Sequence, residues 1–154
     1  MKYKIIAFGI IGESPEKKIF ENFNKRIKAK ITIKELEYRN IKSIKPDEIK
    51  QKEANLIFSN IDENSYIISL DENGKQFSSI EFAQKLENIM LNGNSNINFV
   101  IGGANGLDKS VIEKSNLVIS LGKMTLPHIL ARILLIEQLY RAQTILANHP
   151  YHRQ

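Results

Sequence analysis

The sequence contains no cysteine. Disulfides, thiolate nucleophiles and cysteine-ligated zinc or iron–sulfur sites are therefore excluded. No apolar run approaches the roughly 20 residues that a membrane-spanning helix needs, and the first residues read as a short strand rather than a secretory signal. We therefore expect a cytoplasmic protein with no membrane association. The chain also lacks the G-x-G-x-x-G fingerprint and a P-loop, so a nucleotide-binding oxidoreductase is poorly supported.

Charge is distributed unevenly along the 154 residues, whose net charge is +5. Residues 1–50 hold 13 lysines and arginines against 7 acidic residues, a net of +6, whereas residues 51–154 hold 9 against 10, a net of −1. A basic half joined to a nearly neutral half is typical of a surface that meets a polyanion such as nucleic acid. The alternative is a well-solvated lysine-rich helix, since base readout favours arginine over lysine.

Strand-type and helix-type segments alternate along the chain, whose composition, 42% hydrophobic and 25% charged, is that of a globular protein. Strands are predicted at residues 2–9, 31–38, 65–71, 97–101 and 117–121. Helices are predicted at 14–29, from 46 onward, at 78–92, shortly after 108 and at 126–147; Ser14 and Ser78 are expected to cap two of them. This alternation predicts a single α/β domain over residues 1–154, with a mostly parallel sheet covered by helices on both faces.

Three of the predicted strands end in loops suited to a ligand, because ligands of parallel α/β sheets bind at the carboxyl ends of the strands. The third strand is expected to end at Leu70-Asp71, before a turn at Gly74. The fourth leads into GGANG at residues 102–106, and the fifth into GKMTLP at residues 122–127. Glycines let the backbone approach a ligand with no Cβ in the way. Taken alone, the GGANG loop also fits a tight strand-to-helix turn.

The last helix and the tail that follows it combine features that ordinary surface segments lack. The helix is apolar on more than one side, so it must be deeply buried or face another chain. It nevertheless contains Arg132, Glu137, Tyr140 and Arg141. Glu137 and Arg141 have helical i, i+4 spacing and can pair. The tail, NHPYHRQ, is aromatic and charged where termini usually fray into small polar residues, which indicates either a docked segment or a functional one.

These segments carry a resemblance to a known family. The strings FVIGGANGLD, SLGKMTLPHILARILLIEQLYRA and NHPYHR closely resemble the ribosomal RNA large subunit methyltransferase H family, part of the SPOUT superfamily of knotted methyltransferases. The resemblance covers the whole chain in length and element order and is most specific over residues 99–154. The sequence departs from the family at Asn105, often acidic there, and at Ile10, often basic. The resemblance implies a homodimer and a deep C-terminal trefoil knot, a topology that general folding rules disfavour.

The resemblance also implies an enzyme that binds S-adenosylmethionine in the loops of the knot. Its substrate would be a pseudouridine of large-subunit ribosomal RNA, methylated at ring nitrogen N3 within the assembled ribosome, and no metal would be required. Gly102 and Gly106 would shape the cofactor loop. Carried over position by position, the implied cofactor contacts are Leu70, Gly103, Gly122, Lys123, Met124, Thr125, Leu126 and Pro127.

The implied reaction needs a base, because N3 carries an imide proton, and histidine is the usual base near neutral pH. Of the three histidines, His128, beside the cofactor loop, takes part in the chemistry or orders the helix start. His152 is better placed to close over a substrate base, on which Tyr151 would stack. Arg141 or Arg153 would hold phosphate.

The position of the tail predicts a composite site. A helix of the predicted length spans about 30 Å, so the tail cannot easily fold back onto the cofactor loop of its own chain. In a dimer it would instead reach the loop of the partner. The alternative function is a non-catalytic RNA- or ribosome-binding factor that uses the basic first half, although the intact cofactor-loop residues argue against it.

Overall fold

The computed structural model describes residues 1–37 and 45–153, over which strands and helices alternate as predicted. The strands are β1 (Lys2–Phe8), β2 (Lys30–Leu36), β3 (Tyr66–Gln76), β4 (Asn96–Ile101) and β5 (Leu117–Ser120). The helices are α1 (Pro15–Arg26), α2 (Pro46–Phe58), α3 (Ser79–Leu91), α4 (Lys109–Lys114) and α5 (His128–Leu146). Tyr38, the predicted end of the second strand, lies outside the described residues.

The five strands of the described chain form one sheet in the order β2-β1-β4-β3-β5, and every strand pair is parallel. Alternate residues of β1 enter two separate cores: Ile5 joins the cluster with α1, α3 and α5, and Ile6 joins the cluster with α2 and α4. The predicted α/β fold with helices on both faces is therefore confirmed. None of the described helices is long and apolar enough to cross a membrane.

Side-chain caps start α1 and α3 where the sequence predicts them. The Ser14 side chain accepts a hydrogen bond from the backbone of Lys17, and Ser78 and Glu81 form a reciprocal capping box. These bonds satisfy N–H groups that have no partner inside the first helical turn. They fix the points at which the chain leaves the sheet.

The predicted end of the third strand at Asp71 is wrong, because β3 continues to Gln76. Its pairing with β5 is interrupted at the predicted turn, since Leu70 and Lys75 both lie opposite Ile119 and residues 71–74 leave the pairing between them. The pairing register shifts between Leu70 and Lys75, and Asp71 accepts two hydrogen bonds from Asn73 there, at 2.9 and 3.1 Å. A Cβ on Gly74 would lie 2.5 Å from the carbonyl carbon of Ile119. The glycine therefore allows a close approach of two strands, one of the ordinary uses of glycine within a sheet.

Helix α5 packs against α1 and α3 and buries one side in the larger core. Arg132 is fully buried on that side, whereas Leu130 and Leu134 are 45% and 39% exposed on the other. The prediction of a deeply buried last helix is confirmed for one face. The exposed leucines leave the prediction of a partner chain open.

Candidate functional site

A cavity of about 920 Å³ opens beside residues 70–73 of β3, at the ends of β4 and β5 and the start of α5. Because all strands run parallel, the loops after them meet at one edge of the sheet. Of the ten residues predicted to contact the cofactor or shape its loop, all except Lys123 line the cavity: Leu70, Gly102, Gly103, Gly106, Gly122, Met124, Thr125, Leu126 and Pro127. Asn105, where the sequence departs from the resembled family, also lines it.

The GGANG loop folds tightly onto itself. The Gly106 amide donates a hydrogen bond of 3.1 Å to the Gly103 carbonyl, and Gly106 has a positive φ of +77°, which side chains disfavour. A Cβ on Gly102 would lie 2.9 Å from the carbonyl carbon of Gly106. The backbone path therefore depends on glycine at both positions and leaves peptide groups at the cavity wall.

The loop after β5 is anchored to its own strand. The Ser120 hydroxyl donates to the Gly122 carbonyl at 2.8 Å and accepts from the Gly122 amide at 3.2 Å. Met124, beyond this anchor, is 81% exposed. The loop is thus held at Gly122 and at the start of α5, while its middle stays accessible.

Helix α2 contributes two residues that the sequence analysis missed. Lys50 lines the cavity, and Glu53, only 7% exposed, lies beneath Gly103. Burial raises the pKa of the Glu53 carboxyl, and a hydrogen bond with the Gly103 backbone opposes that shift. A lysine and a glutamate on a lysine-rich helix carry no local signal of such a role, because only the packing of α2 brings them to the loop after β4.

Among the predicted catalytic residues, His128 alone lines this cavity. Its ring lies over Gly9, the residue that follows β1: a Cβ on Gly9 would overlap the His128 ring. Burial, and then the positive charge of Arg132, lower the pKa of His128. Its imidazole is therefore expected to be neutral at neutral pH.

The other four predicted catalytic residues, Arg141, Tyr151, His152 and Arg153, are not part of the cavity wall. Arg141 pairs with Glu137 at 2.6 Å, as the sequence predicts, and contacts Nδ1 of His152 at 3.4 Å. The Tyr151 hydroxyl donates to Glu137 at 3.1 Å. The tail is therefore docked on the last turns of its own α5, with Arg153 exposed.

Aromatic and cationic contacts extend this cluster to α1. The rings of Tyr140 and Tyr151 pack edge to face with centroids 4.8 Å apart. The Arg26 guanidinium lies 4.3 Å from the Tyr140 ring, and that of Arg141 lies 4.8 Å from the Tyr151 ring. Cation–π contacts of this kind hold a tyrosine in place while leaving the arginines partly solvated.

No group of three or more metal-ligating side chains occurs in residues 1–37 and 45–153. The three histidines, the usual nitrogen ligands of a metal, are divided between the cavity wall, which holds His128, and the tail, which holds His149 and His152. The cavity itself combines peptide groups, apolar side chains and a few charged groups, as small-molecule sites do.

A parallel α/β sheet with a glycine-walled cavity at its strand ends defines a small-ligand-binding α/β protein. The family model described as predicted SPOUT methyltransferase matches residues 1–152. The chain therefore belongs to the SPOUT methyltransferase family.

Curated relatives match over the whole chain. Proteins named ribosomal RNA large subunit methyltransferase H from Clostridium botulinum (strain Hall) and Acholeplasma laidlawii are 42% and 43% identical, each covering 99% of this chain and 100% of the relative. Among solved structures, the fold is similar to that of Lpg2936 from Legionella pneumophila, a complex with bound cofactor SAM. That match has 12% identity and a TM-score of 0.50 over 92% of this chain and 66% of the other.

Proposed function

We propose that this protein transfers a methyl group from S-adenosylmethionine to N3 of a pseudouridine in large-subunit ribosomal RNA, acting on the assembled ribosome in the cytoplasm. The observation that carries the proposal is the strand-end cavity with its glycine loops, in a chain 42% identical throughout to proteins named for this RNA. The Legionella complex with SAM supports the choice of cofactor.

The residues of the cavity fit this cofactor. Its volume of about 920 Å³ lies within the range of ligand sites. Backbone groups at Gly103 and Gly122 are suited to reading adenine, Leu70 and Leu126 to covering it, and Asp71 suits a cationic ligand. When bound, S-adenosylmethionine supplies an activated methyl group. The protein contributes by holding the acceptor nitrogen in line with that group.

The tail is proposed to act on the cavity of a partner chain. Arg141 lies thirteen residues after His128 in α5, about 20 Å further along the helix. Within one chain the docked tail is therefore far from the cavity wall to which His128 belongs. A dimer that sets the tail of one chain against the cavity of the other supplies His152 as base, Tyr151 to stack on the target base and Arg141 or Arg153 to hold phosphate.

The apolar surface of α5 supports a dimer. Leu130 and Leu134 are exposed, and Leu134 also borders a second cavity of about 240 Å³ with Phe77 and Leu121. Burying such a face against its own copy would remove apolar area from water. The C-terminal trefoil knot implied by the family is part of the same proposal.

Ribosome binding is proposed to use the lysines around α1. The Lys28 amide donates to Gln143 of α5 at 2.6 Å, which brings the end of α1 beside the tail. Exposed Lys25 and Lys28 lie at this end of α1, and exposed Lys18 lies earlier on the same helix. One continuous basic surface would bind the phosphates next to the target base.

The test uses ribosomes from cells that lack the protein. Purified protein with radiolabelled S-adenosylmethionine should methylate their large-subunit RNA, and nucleoside mass spectrometry should identify the product as pseudouridine methylated at N3. Binding of the cofactor and of ribosomes without any transfer would favour the non-catalytic binding factor. Transfer to another nucleoside would contradict the proposed substrate.

A second experiment tests the composite site. A chain without residues 151–154 and a Gly103→Val chain should each be inactive alone, and the deletion should spare dimerisation and most cofactor binding. Mixing them under conditions of proven chain exchange should restore up to one working site per heterodimer. A mixture that stays inactive would mean that the tail acts within its own subunit.

A further inference from the structure

Arg132 of α5 joins the ends of two strands from inside the fold. Its side chain is fully buried, and Nη2 donates to the carbonyl oxygens of Phe8 and Gly9, at 3.3 and 2.8 Å. Nη1 donates to Glu35 of β2 at 2.5 Å. Glu35 in turn accepts a hydrogen bond of 3.0 Å from the Ile11 amide. The pair therefore fixes the loop that follows β1.

Stability alone does not explain this arrangement. A buried guanidinium loses its hydration, and an apolar side chain of similar size is often as stabilising. The compensation is also incomplete, since Nε of Arg132 has no hydrogen-bond partner among the described residues. A buried polar group that is left unsatisfied calls for an explanation outside packing.

The fixed loop supports His128 directly. His128 precedes Arg132 by one helical turn, and its ring rests on Gly9, whose carbonyl Arg132 holds. Gly9 has a φ of +87°, a conformation suited to glycine. The position of the imidazole on the cavity wall thus depends on Arg132 through Gly9.

Arg132 lowers the pKa of His128 in addition to burial. Glu35 pairs with Arg132 and stabilises its positive charge. The other charged groups on this cavity wall are Lys50 of α2 and Asp71 and Glu72 of β3. The Arg132–Glu35 pair, by contrast, is hydrogen-bonded to the loop on which the ring rests.

We propose that His128 accepts, as an uncharged imidazole, a hydrogen bond from an N–H donor of the ligand in the cavity, and that Arg132 and Glu35 are its positioning residues. The identity of the ligand rests on the proposed function: the donor belongs to the cofactor or to the target base. The arrangement of the three residues does not depend on that function.

The first test measures the titration of His128 by NMR in the ligand-free protein, with its signal assigned from a His128→Gln variant. Glu35→Gln keeps an acceptor for Ile11 but removes a negative charge, so the pKa of His128 should fall further. Arg132→Met keeps an unbranched buried side chain but removes the positive charge, so that pKa should rise. Shifts of a few tenths of a pH unit or more are expected. Glu21→Gln, an exposed carboxylate on α1, is the matched control and should leave His128 unchanged.

If Arg132 and Glu35 act on His128 as proposed, the pKa of His128 shifts in opposite directions in the two folded variants. Shifts in the same direction, or no shift, would overturn the proposed role of the pair. If Arg132→Met does not fold, Glu35→Gln still decides, because an unchanged or raised pKa of His128 in that variant contradicts the proposal.

The second test identifies the donor. His128→Phe, which keeps a planar ring but has no hydrogen-bond acceptor, should lower S-adenosylmethionine affinity at least tenfold by calorimetry if the donor belongs to the cofactor. It should instead lower kcat at least tenfold, with cofactor affinity retained, if the donor belongs to the RNA base. Unchanged values in both assays would overturn the role of His128. Failure of the proposed methyl transfer would leave the titration and calorimetry results standing, so the two failures are distinguishable.

Discussion

Replacing Gly103 with alanine should weaken cofactor binding through a residue that itself lies outside the cavity wall. The new Cβ would lie 2.7 Å from Oε1 and 3.0 Å from Oε2 of Glu53. Glu53 is only 7% exposed and is held by the Gly103 backbone, so the carboxylate and the loop must separate.

The magnitude follows from overpacking. Extra methyl groups in packed sites cost about 1–3 kcal/mol, and each 1.4 kcal/mol is about tenfold in affinity. If the displaced loop must return to its original path before the cofactor can bind, binding carries this cost. S-adenosylmethionine should then bind about 5- to 150-fold more weakly by calorimetry. Gly103→Val, with its larger side chain, should lose more of its affinity for S-adenosylmethionine, while thermal unfolding should still show a folded protein.

A double-mutant cycle identifies the cause. Glu53→Ala makes room for the new methyl group, so the Glu53→Ala/Gly103→Ala variant should bind the cofactor about as well as Glu53→Ala alone. The coupling energy should then be of the order of 1–3 kcal/mol. Losses that simply add, to within about 0.5 kcal/mol, would refute the reasoning that Glu53 sets the path of the loop.

Three further predictions concern assembly, RNA binding and pH. Light scattering should give twice the chain mass of 17.6 kDa, and Leu130→Glu combined with Leu134→Glu should reduce it to a single chain; a wild-type monomer at micromolar concentration would contradict the dimer. Exchanging Lys18, Lys25 and Lys28 for glutamate should weaken ribosome binding and its salt dependence but spare cofactor affinity; Arg26 is left intact because it supports Tyr140, and equal loss of both would indicate unfolding. Burial raises the pKa of Glu53 above its ordinary value of 4.5. The stabilisation by the protonated carboxyl should therefore be fully present below about pH 4.5 and be lost as the pH rises through the raised pKa of the folded protein. The free energy of unfolding, measured by denaturant titration at a series of pH values, should therefore fall less steeply with pH in Glu53→Gln. An unchanged dependence on pH would contradict the raised pKa.

Local sequence signals were sufficient for the order of the elements. Caps such as Ser14 and Ser78 act on backbone groups within one turn, and the alternation of apolar residues in a strand is equally local. The loops after β4 and β5 could also be located, because glycine enrichment beside a buried strand is visible in the sequence. The residues of these two loops, 102–106 and 122–127, accordingly line one cavity, except for Lys123.

Gly74 marks the limit of such reasoning. A glycine serves equally well in a turn and in a strand that passes close to another backbone. Here Gly74 ends the interruption at residues 71–74 and also passes close to the backbone of Ile119, 45 residues further along the chain. Only the pairing of β3 with β5 shows that the strand resumes after the turn.

The same limit applies to charge. The sequence shows that Arg132 would be costly if buried unpaired, but its partner Glu35 is 97 residues away. Lys50 lines the cavity and Glu53 lies beneath Gly103 only because α2 packs beside the loop after β4. The tail residues could be recognised by type, while their docking on Glu137 and Tyr140 required the packed helix. Interactions between residues a few positions apart can be predicted from the local sequence. The burial, pKa and partners of these charged groups arise only when the sheet order β2-β1-β4-β3-β5 brings distant segments together.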